Sequence, residues 1–409
     1  MYFKNTLAGL SLLAVCASAY GQSPGEKQWT EQAVLSLFEQ QTPIKRETRA
    51  AASASMEALR SRTLWPNPIA AYSRETVGFT EFVQGAQLLP ISGRLSLARK
   101  AMDPARDAVE ADGAARIWDL HSNLRLAFYR ALAAQRQEEL IQASLKEIQQ
   151  VIDLLALRER EGEGSRYDRL RVERETLDLR ADIAVARARA RNEKTVLLSY
   201  LPANTSLLSL SGDVGSRPVA TPAAELLAQA LMNRADFRAQ SSRLAQLSLE
   251  QQAADRLRRP EPMITAGMKR TQVAPGQNAT GAVIGVSIPL PIFNKGQTEV
   301  ARLSAEQDRI RAQREQLTIQ VTATLNGAYD VHAARAAALA AFERETSGAD
   351  AELLRIARIG YEEGELGILQ LLDAYRLMRQ TALRRLELQL AVKESEIELS
   401  RAAGMEITQ

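Results

Sequence analysis

The stretch Val283-Ile284-Gly285-Val286-Ser287-Ile288-Pro289-Leu290-Pro291-Ile292-Phe293-Asn294-Lys295-Gly296 changes character halfway along. Ile284, Val286, Ile288 and Leu290 alternate with Val283, Gly285 and Ser287. That period of two gives a strand with one apolar face and one smaller, more polar face, as a wall between lipid and an aqueous lumen requires. Pro289 and Pro291 have no backbone donor, so they suit the place where a strand ladder stops and the chain turns. Beyond Gly296 the pattern is helical. Upstream, Met263 to Arg270 supplies a hairpin partner across the polar turn Val273-Ala274-Pro275-Gly276-Gln277-Asn278.

The same order of events occurs earlier in the chain. Trp65-Pro66-Asn67-Pro68 opens a strand-like stretch, as Arg259-Pro260-Glu261-Pro262 does later, and Leu89-Pro90-Ile91 closes it, as Leu290-Pro291-Ile292 does. The first strand pair is expected over Asn67 to Thr76 and Glu81 to Leu89, around Val77-Gly78-Phe79-Thr80. A long helical run follows in each half and reaches a glycine break, Glu161-Gly162-Glu163-Gly164 or Glu363-Gly364-Glu365-Leu366-Gly367, before a helix returns. These landmarks recur at an offset of about two hundred residues and define two internal repeats.

The helices carry heptad-like seams. Ile141, Leu145, Ile148, Ile152 and Leu155 mark one before the first break, and Leu170, Leu177, Ala181, Ala184 and Ala188 one after it. The second half offers Ile310, Leu317, Val321, Thr324, Ala328 and Val331, then Leu371, Tyr375, Met378, Ala382, Leu386 and Leu390. A helix from about Arg94 to Glu159 would be about 100 Å long at the α-helical rise. Gly162, Gly164, Gly364 and Gly367 suit the positive backbone angles of tight reversals.

These landmarks divide the chain into a leader over 1–19, an N-terminal helical segment over 20–63, a first repeat over 64–200, a collar linker over 201–222, a second repeat over 223–404 and a tail over 405–409. The leader reading rests on Lys4, the apolar run Leu7 to Cys16 and the small residues Ala17-Ser18-Ala19. Cys16, the only cysteine, falls inside it; Leu13-Ala14-Val15-Cys16 loosely resembles a lipid-attachment box, but with a bulky Val15. Pro202, Gly212, Gly215, Pro218 and Pro222 break up the collar.

Composition narrows the function. The 52 basic and 49 acidic residues leave a net charge of only +3, so no nucleic-acid partner is expected. No stretch after the leader has the 18 or more consecutive apolar residues of a spanning helix, so a membrane crossing would have to use strands. Four strands cannot close a barrel alone, because hydrocarbon tolerates no unpaired edge and the smallest membrane barrels need about eight. Several copies would have to share one barrel. A soluble β patch capping a helical bundle fits the strand pattern equally well. No nucleophile elbow, phosphate loop or paired catalytic carboxylates appear, and His121 and His332 lie in separate helical runs without a ligand pattern. No enzyme, cofactor or metal site is expected.

The motif Ile288 to Gly296 and the run Arg358-Ile359-Gly360-Tyr361-Glu362-Glu363-Gly364-Glu365-Leu366-Gly367-Ile368-Leu369-Gln370-Leu371-Leu372-Asp373-Ala374-Tyr375 resemble the TolC-like outer-membrane efflux family, over roughly Thr30 to Gly404. The wording is nearest the branch that exports cobalt, zinc, cadmium or copper; related ducts serve drugs or type I secretion. The resemblance implies a mainly α homotrimer with a small β part: a long antiparallel coiled-coil tunnel in the periplasm beneath a shared twelve-stranded barrel in outer-membrane lipid. It implies a passive exit duct working with a periplasmic adaptor and an inner-membrane pump. Pro289, Pro291, Phe293 and Gly296 form its strand-to-helix signature. Gly162, Gly164, Ser165, Gly364, Leu366 and Gly367 match the tips where the adaptor docks. Asp168 matches an acidic gate link, Tyr361 its tyrosine partner and Asp373 an aperture acid. Gln370 departs from a second aperture acid and Leu366 from a basic link residue, which implies a less acidic, more weakly latched constriction. The competing non-enzyme reading is a periplasmic adaptor, which usually has one helical hairpin between β-rich halves; two hairpins and two strand pairs argue against it.

Overall fold

The computed structural model describes residues 28–76, 79–206, 209–215 and 219–407; the predicted leader with Cys16, Val77-Gly78 and Pro218 lie outside the described residues. The chain opens with β1 (Gln28–Trp29), α1 (Glu31–Gln41) and α2 (Pro43–Arg60), followed by β2 (Ile69–Glu75) and β3 (Thr80–Leu88). Next come the short α3 (Arg94–Lys100), the 60-residue α4 (Met102–Glu161) and the returning α5 (Arg166–Leu198). After the collar strand β4 (Ser209–Leu210) the plan repeats: α6 (Ala223–Asn233), α7 (Ala235–Asp255), β5 (Met263–Ala274), β6 (Gln277–Ser287), α8 (Gln297–Thr346), α9 (Ala349–Glu362) and α10 (Ile368–Ala403). At 1.5 Å per residue α4 alone runs about 90 Å.

The sheet has the order β2-β3-β5-β6, antiparallel throughout. Its register puts Tyr72, Val83, Met268 and Ala282 in one cross-strand row, and Gly85, Ala266 and Ile284 in the next row on the same face. Tyr72, Val83, Met268, Ile284 and Val286 are all exposed, Ile284 by 82%. The opposite face carries Phe82, Gln84, Lys269, Thr265, Gly267 and Gly281, and is the more polar. β2 and β6 are open edges. The predicted six-residue turn is shorter than expected: β5 and β6 pair up to Ala274 and Gln277, leaving Pro275-Gly276 as the loop. Gly276 has φ 80°, which the third position of a type II turn requires.

The two strand-to-helix turns are nearly the same object. The Ile91 amide donates to the Leu89 carbonyl and the Ile292 amide to that of Leu290, each at 2.8 Å, with a proline in the middle. Each turn leads to a left-handed glycine at the helix start, Gly93 at φ 81° and Gly296 at φ 79°. Pro289, Pro291 and Phe293 lie in or beside the second turn, where Phe293 is 90% exposed.

Buried apolar clusters follow one another along the helices. One joins Ile141, Ile148, Ile152 and Leu155 of α4 to Val172, Leu179 and Ile183 of α5 and to Leu371 and Tyr375 of α10. A second packs Leu124, Phe128 and Leu132 of α4 with Val34, Phe38, Leu210 and Ile397, where β1 pairs with β4 and ties the N-terminal segment to the collar. A third gathers Leu226, Phe237, Val321, Leu325 and Leu399.

Two seam expectations are corrected. On α5 the buried stripe is Val172, Leu179, Ile183, Ala186 and Ala190, whereas Leu170, Leu177, Ala181, Ala184 and Ala188 are exposed on another face. On α8, Thr324 and Val331 are exposed, while Leu325 and His332 are buried. Both helices carry apolar side chains on more than one face, and spacing alone does not say which face meets the rest of the same chain. The second ascending helix is also not continuous. α8 stops at Thr346, Gly348 takes φ 79°, and α9 restarts the run.

Candidate gate and docking tips

The first hairpin tip is closed by backbone geometry. Gly162 ends α4 at φ 83°, its amide donates to the Glu159 carbonyl at 3.2 Å, and the Glu163 amide reaches the Arg158 carbonyl at 2.9 Å. This is a left-handed helix cap, for which glycine pays no Cβ penalty. Ser165 caps α5, its hydroxyl accepting from the Tyr167 amide at 3.2 Å. Arg169 then ties the helices together, donating to Glu159 at 2.6 Å and to Glu173 at 2.5 Å.

The second tip adds a packed side chain to backbone closure. Gly364 is left-handed at φ 79°, and the amides of Glu365 and Leu366 both donate to the Gly360 carbonyl, at 2.8 and 2.9 Å. The Leu366 side chain lies so close to Gly360 that a Cβ there would come within 2.8 Å of it. Gly367, the residue before α10, offers no side-chain cap.

Positive angles are therefore needed at Gly162 and Gly364 only. Gly164 is required for space, since a Cβ would lie 2.8 Å from the Glu159 amide nitrogen, and Gly367 is ordinary extended backbone at φ −86°. Gly360, quoted in the motif without a role, is the tightest packing position of the second tip. The signal for it was the spacing Gly360-x5-Leu366 across a turn.

The two tips meet through Arg158 and Tyr361. The Arg158 guanidinium sits over the Tyr361 ring, 5.4 Å from its centroid, and its Nη2 donates to the Glu362 carbonyl at 3.5 Å. Tyr361 is buried, which raises its phenol pKa, with the nearby Arg158 acting in the opposite direction and the Asp168 charge adding to the rise. The Asp168 charge lies within electrostatic reach of Tyr361, and Arg158, one turn before the tip of α4, sits over the ring. A positive charge that Leu366 does not supply is thus supplied from the other hairpin.

One helical stretch further from the tips, Arg376 of α10 forks onto Glu175 of α5. Nε donates to Oε1 at 2.9 Å and Nη2 to Oε2, a bidentate pair. The Glu175 side chain is only 10% exposed, and the guanidinium hydrogen bonds hold its carboxyl below the usual range, against the effect of burial. Neither residue stood out from sequence, since their separation of 201 residues leaves no local pattern. Gln370 and Asp373 are both exposed on α10, with Asp373 within electrostatic reach of Arg376. The two histidines are packed and lie apart from this region. His121 stacks on Trp118 at 5.3 Å, and His332 Nδ1 shares a 3.1 Å hydrogen bond with Ser395. No helix among the described residues is long and apolar enough to cross a membrane.

No family model matches the chain. In sequence it is similar to the cobalt-zinc-cadmium resistance protein CzcC of Cupriavidus metallidurans, 27% identical over 304 residues that cover 72% of this chain and 70% of that one. In structure it is similar to CusC, described by its transmembrane channel formation, with a TM-score of 0.68 at 18% identity over 92% of both chains. The open-state outer-membrane channel MtrE of Neisseria gonorrhoeae gives 0.67 at 19% identity, over 92% of this chain and 89% of that one. The outer-membrane protein VceC of Vibrio cholerae gives 0.65 at 15%, over 92% and 97%. With one four-stranded sheet on two long helical hairpins, and with these similarities in sequence and in structure, the chain has the fold of the TolC-like outer-membrane channels.

Proposed function

We propose that three copies pool their sheets into one barrel and their hairpins into one tunnel, forming the exit duct through which a periplasmic adaptor and an inner-membrane pump discharge heavy-metal cations. The observation that carries this reading is the sheet itself: four strands with an apolar exposed face and two open edges, which a bilayer accepts only when other strands complete them. The second apolar stripe of α5 supports it. Leu170, Leu177 and Val185 are 49%, 49% and 72% exposed, as expected of surface awaiting a neighbouring copy. The metal cargo is suggested by the similarity to CzcC.

The duct performs no chemistry. Cations pass hydrated, and Asp373, repeated by symmetry, offers a ring of carboxylates at the aperture; selection belongs to the pump. The tips carrying Gly162, Gly164, Ser165, Gly364, Leu366 and Gly367 are the adaptor's docking points. Docking there splays the hairpins and shifts a closed-to-open equilibrium. Arg158 with Tyr361 and Asp168, and Arg376 with Glu175, hold the closed state.

Planar-bilayer conductance of the purified protein tests this directly. A trimer that inserts and conducts weakly until Arg158→Ala and Tyr361→Phe are combined is the expected result. A protein that stays monomeric and never enters lipid overturns the duct, and an unchanged closed-state current in the double variant overturns the latch. Deletion in the native host should lower tolerance to cobalt, zinc or cadmium; sensitivity to drugs alone would move the cargo to that class.

A further inference from the structure

Directly beneath the strand-to-helix turns lies a cavity of about 130 Å³ between α2, α3, α7 and α8. Its floor is apolar, formed by Leu59, Ala98, Ala253, Ala254 and Leu303. The turn at Gly296 presses on it so closely that a Cβ there would lie 2.7 Å from the Ala254 carbonyl and 3.0 Å from Leu257, another lining residue.

The rim carries two cations and two anions, Arg62 and Arg94 with Glu250 and Glu299. They are only partly spent on one another. Arg62 reaches Glu250 at 3.5 Å, and Arg94 Nη2 reaches Glu261 at 3.7 Å, both longer than hydrogen-bonding distance for such pairs. Arg94 Nε is buried with no hydrogen-bond partner. Glu299 is held by Arg302 at 2.8 Å, and Glu250 accepts from Gln246 at 2.8 Å.

The cavity also sits at a defined height. The exposed lipid-facing sheet ends at Leu88 and Ser287, and the next residues present Trp65, Ile91, Ile292 and Phe293 to the outside, all at least 58% exposed. Apolar and aromatic side chains in that position mark a membrane–water boundary, here on the periplasmic side.

We propose that this cavity binds one zwitterionic phospholipid of the inner leaflet, a phosphatidylethanolamine. Its phosphate lies between the Arg62 guanidinium and the partly exposed guanidinium of Arg94, its ammonium faces Glu250 and Glu299, and part of its apolar body covers the alanine-lined floor. The paired signs at the rim favour a headgroup with both charges over a purely anionic one. The inference rests on the outer-membrane location, which sedimentation with outer membranes reports separately from lipid retention.

Native mass spectrometry of the full-length protein, released from nanodiscs of phosphatidylethanolamine and phosphatidylglycerol in equal parts, tests the proposal. One phosphatidylethanolamine per protomer is expected to survive delipidation. Arg62→Ala, at an exposed side chain, should weaken its retention about tenfold, the effect of losing one charge-assisted contact. Ala98→Phe should abolish retention by filling the floor. Wild-type protein without retained lipid, equal retention of the two lipids, or retention unchanged in Arg62→Ala would overturn the proposal. Should Ala98→Phe fail to fold, Arg62→Ala alone decides. A protein that fractionates away from outer membranes would bring down the location instead.

Discussion

The two hairpin tips solve one geometric problem by different means. Both reverse a long helix through a left-handed glycine, Gly162 or Gly364. Both also close through backbone hydrogen bonds; the first tip adds side-chain ones, with Ser165 capping the start of α5 and Arg169 bridging to Glu159. The second has no side-chain cap and relies on packing, with Leu366 laid against Gly360 and Tyr361 beneath Arg158. Their supports differ as well: α4 arrives unbroken over 60 residues, whereas the matching run is interrupted at Ser347-Gly348. Duplication preserved the path of the chain here without preserving the interactions that hold it. The second tip is therefore sensitive to volume at Gly360, and the first both to volume at Gly164 and to side-chain hydrogen bonding at Ser165 and Arg169.

Substitutions that respect this distinction should rank accordingly. Gly360→Val drives side-chain atoms into Leu366 and should cost about 2–3 kcal/mol, seen as faster amide exchange confined to the second tip; equal loosening of both tips would erase the contrast. Arg376→Ala leaves the Glu175 carboxylate without its fork and should cost about 1–2 kcal/mol, reduced because the arginine is half exposed. Its pH dependence follows from the depressed carboxyl: the pair's contribution is fully present above the unfolded carboxylate value of about 4.3 and is lost as pH falls through the lower folded one. Urea denaturation of wild type should therefore show no dependence on this pair between about pH 6 and 8, and the gap to Arg376→Ala should narrow in strong acid.

Gly162→Ala meets no neighbouring atom, so its expected cost of about 1 kcal/mol is conformational alone, and Gly364→Ala should match it. Thermal melts of the two variants check that equality. Ser165→Ala should cost about 0.5–1 kcal/mol at the first tip. Gly367→Ser supplies the cap that the second tip lacks and should return a few tenths of a kcal/mol there, measurable as slowed exchange at the start of α10.

Much of this architecture was legible in the chain because it is written locally. The alternation through Ile284, Val286 and Ile288, the prolines at positions 90 and 291, and the glycines at 162 and 364 each act within a few residues, and each marks a boundary near where the structure has one. The Ile141 to Leu155 seam was readable because that part of α4 faces other parts of its own chain. The α5 seam was misplaced because Leu170 and Leu177 have the same apolar spacing but point away from the protomer. The contacts around the proposed gate were less legible. The group over the Tyr361 ring is Arg158, which the family pattern did not single out, and the Glu175–Arg376 fork joins residues that no periodicity connects. Gly348 was missed because a single glycine inside a strongly helical run looks like a tolerated substitution until its φ is seen.

The unpaired edges of β2 and β6 bear on how the protein is made. If, as proposed above, copies of the chain share one barrel, each copy carries two strand margins that its siblings satisfy, so maturation becomes an encounter between copies and the yield rises steeply with their local concentration. Until that encounter those margins are open to any strand of suitable length, and a cell that makes this protein slowly or sparsely would need an escort to keep them apart from unrelated partners.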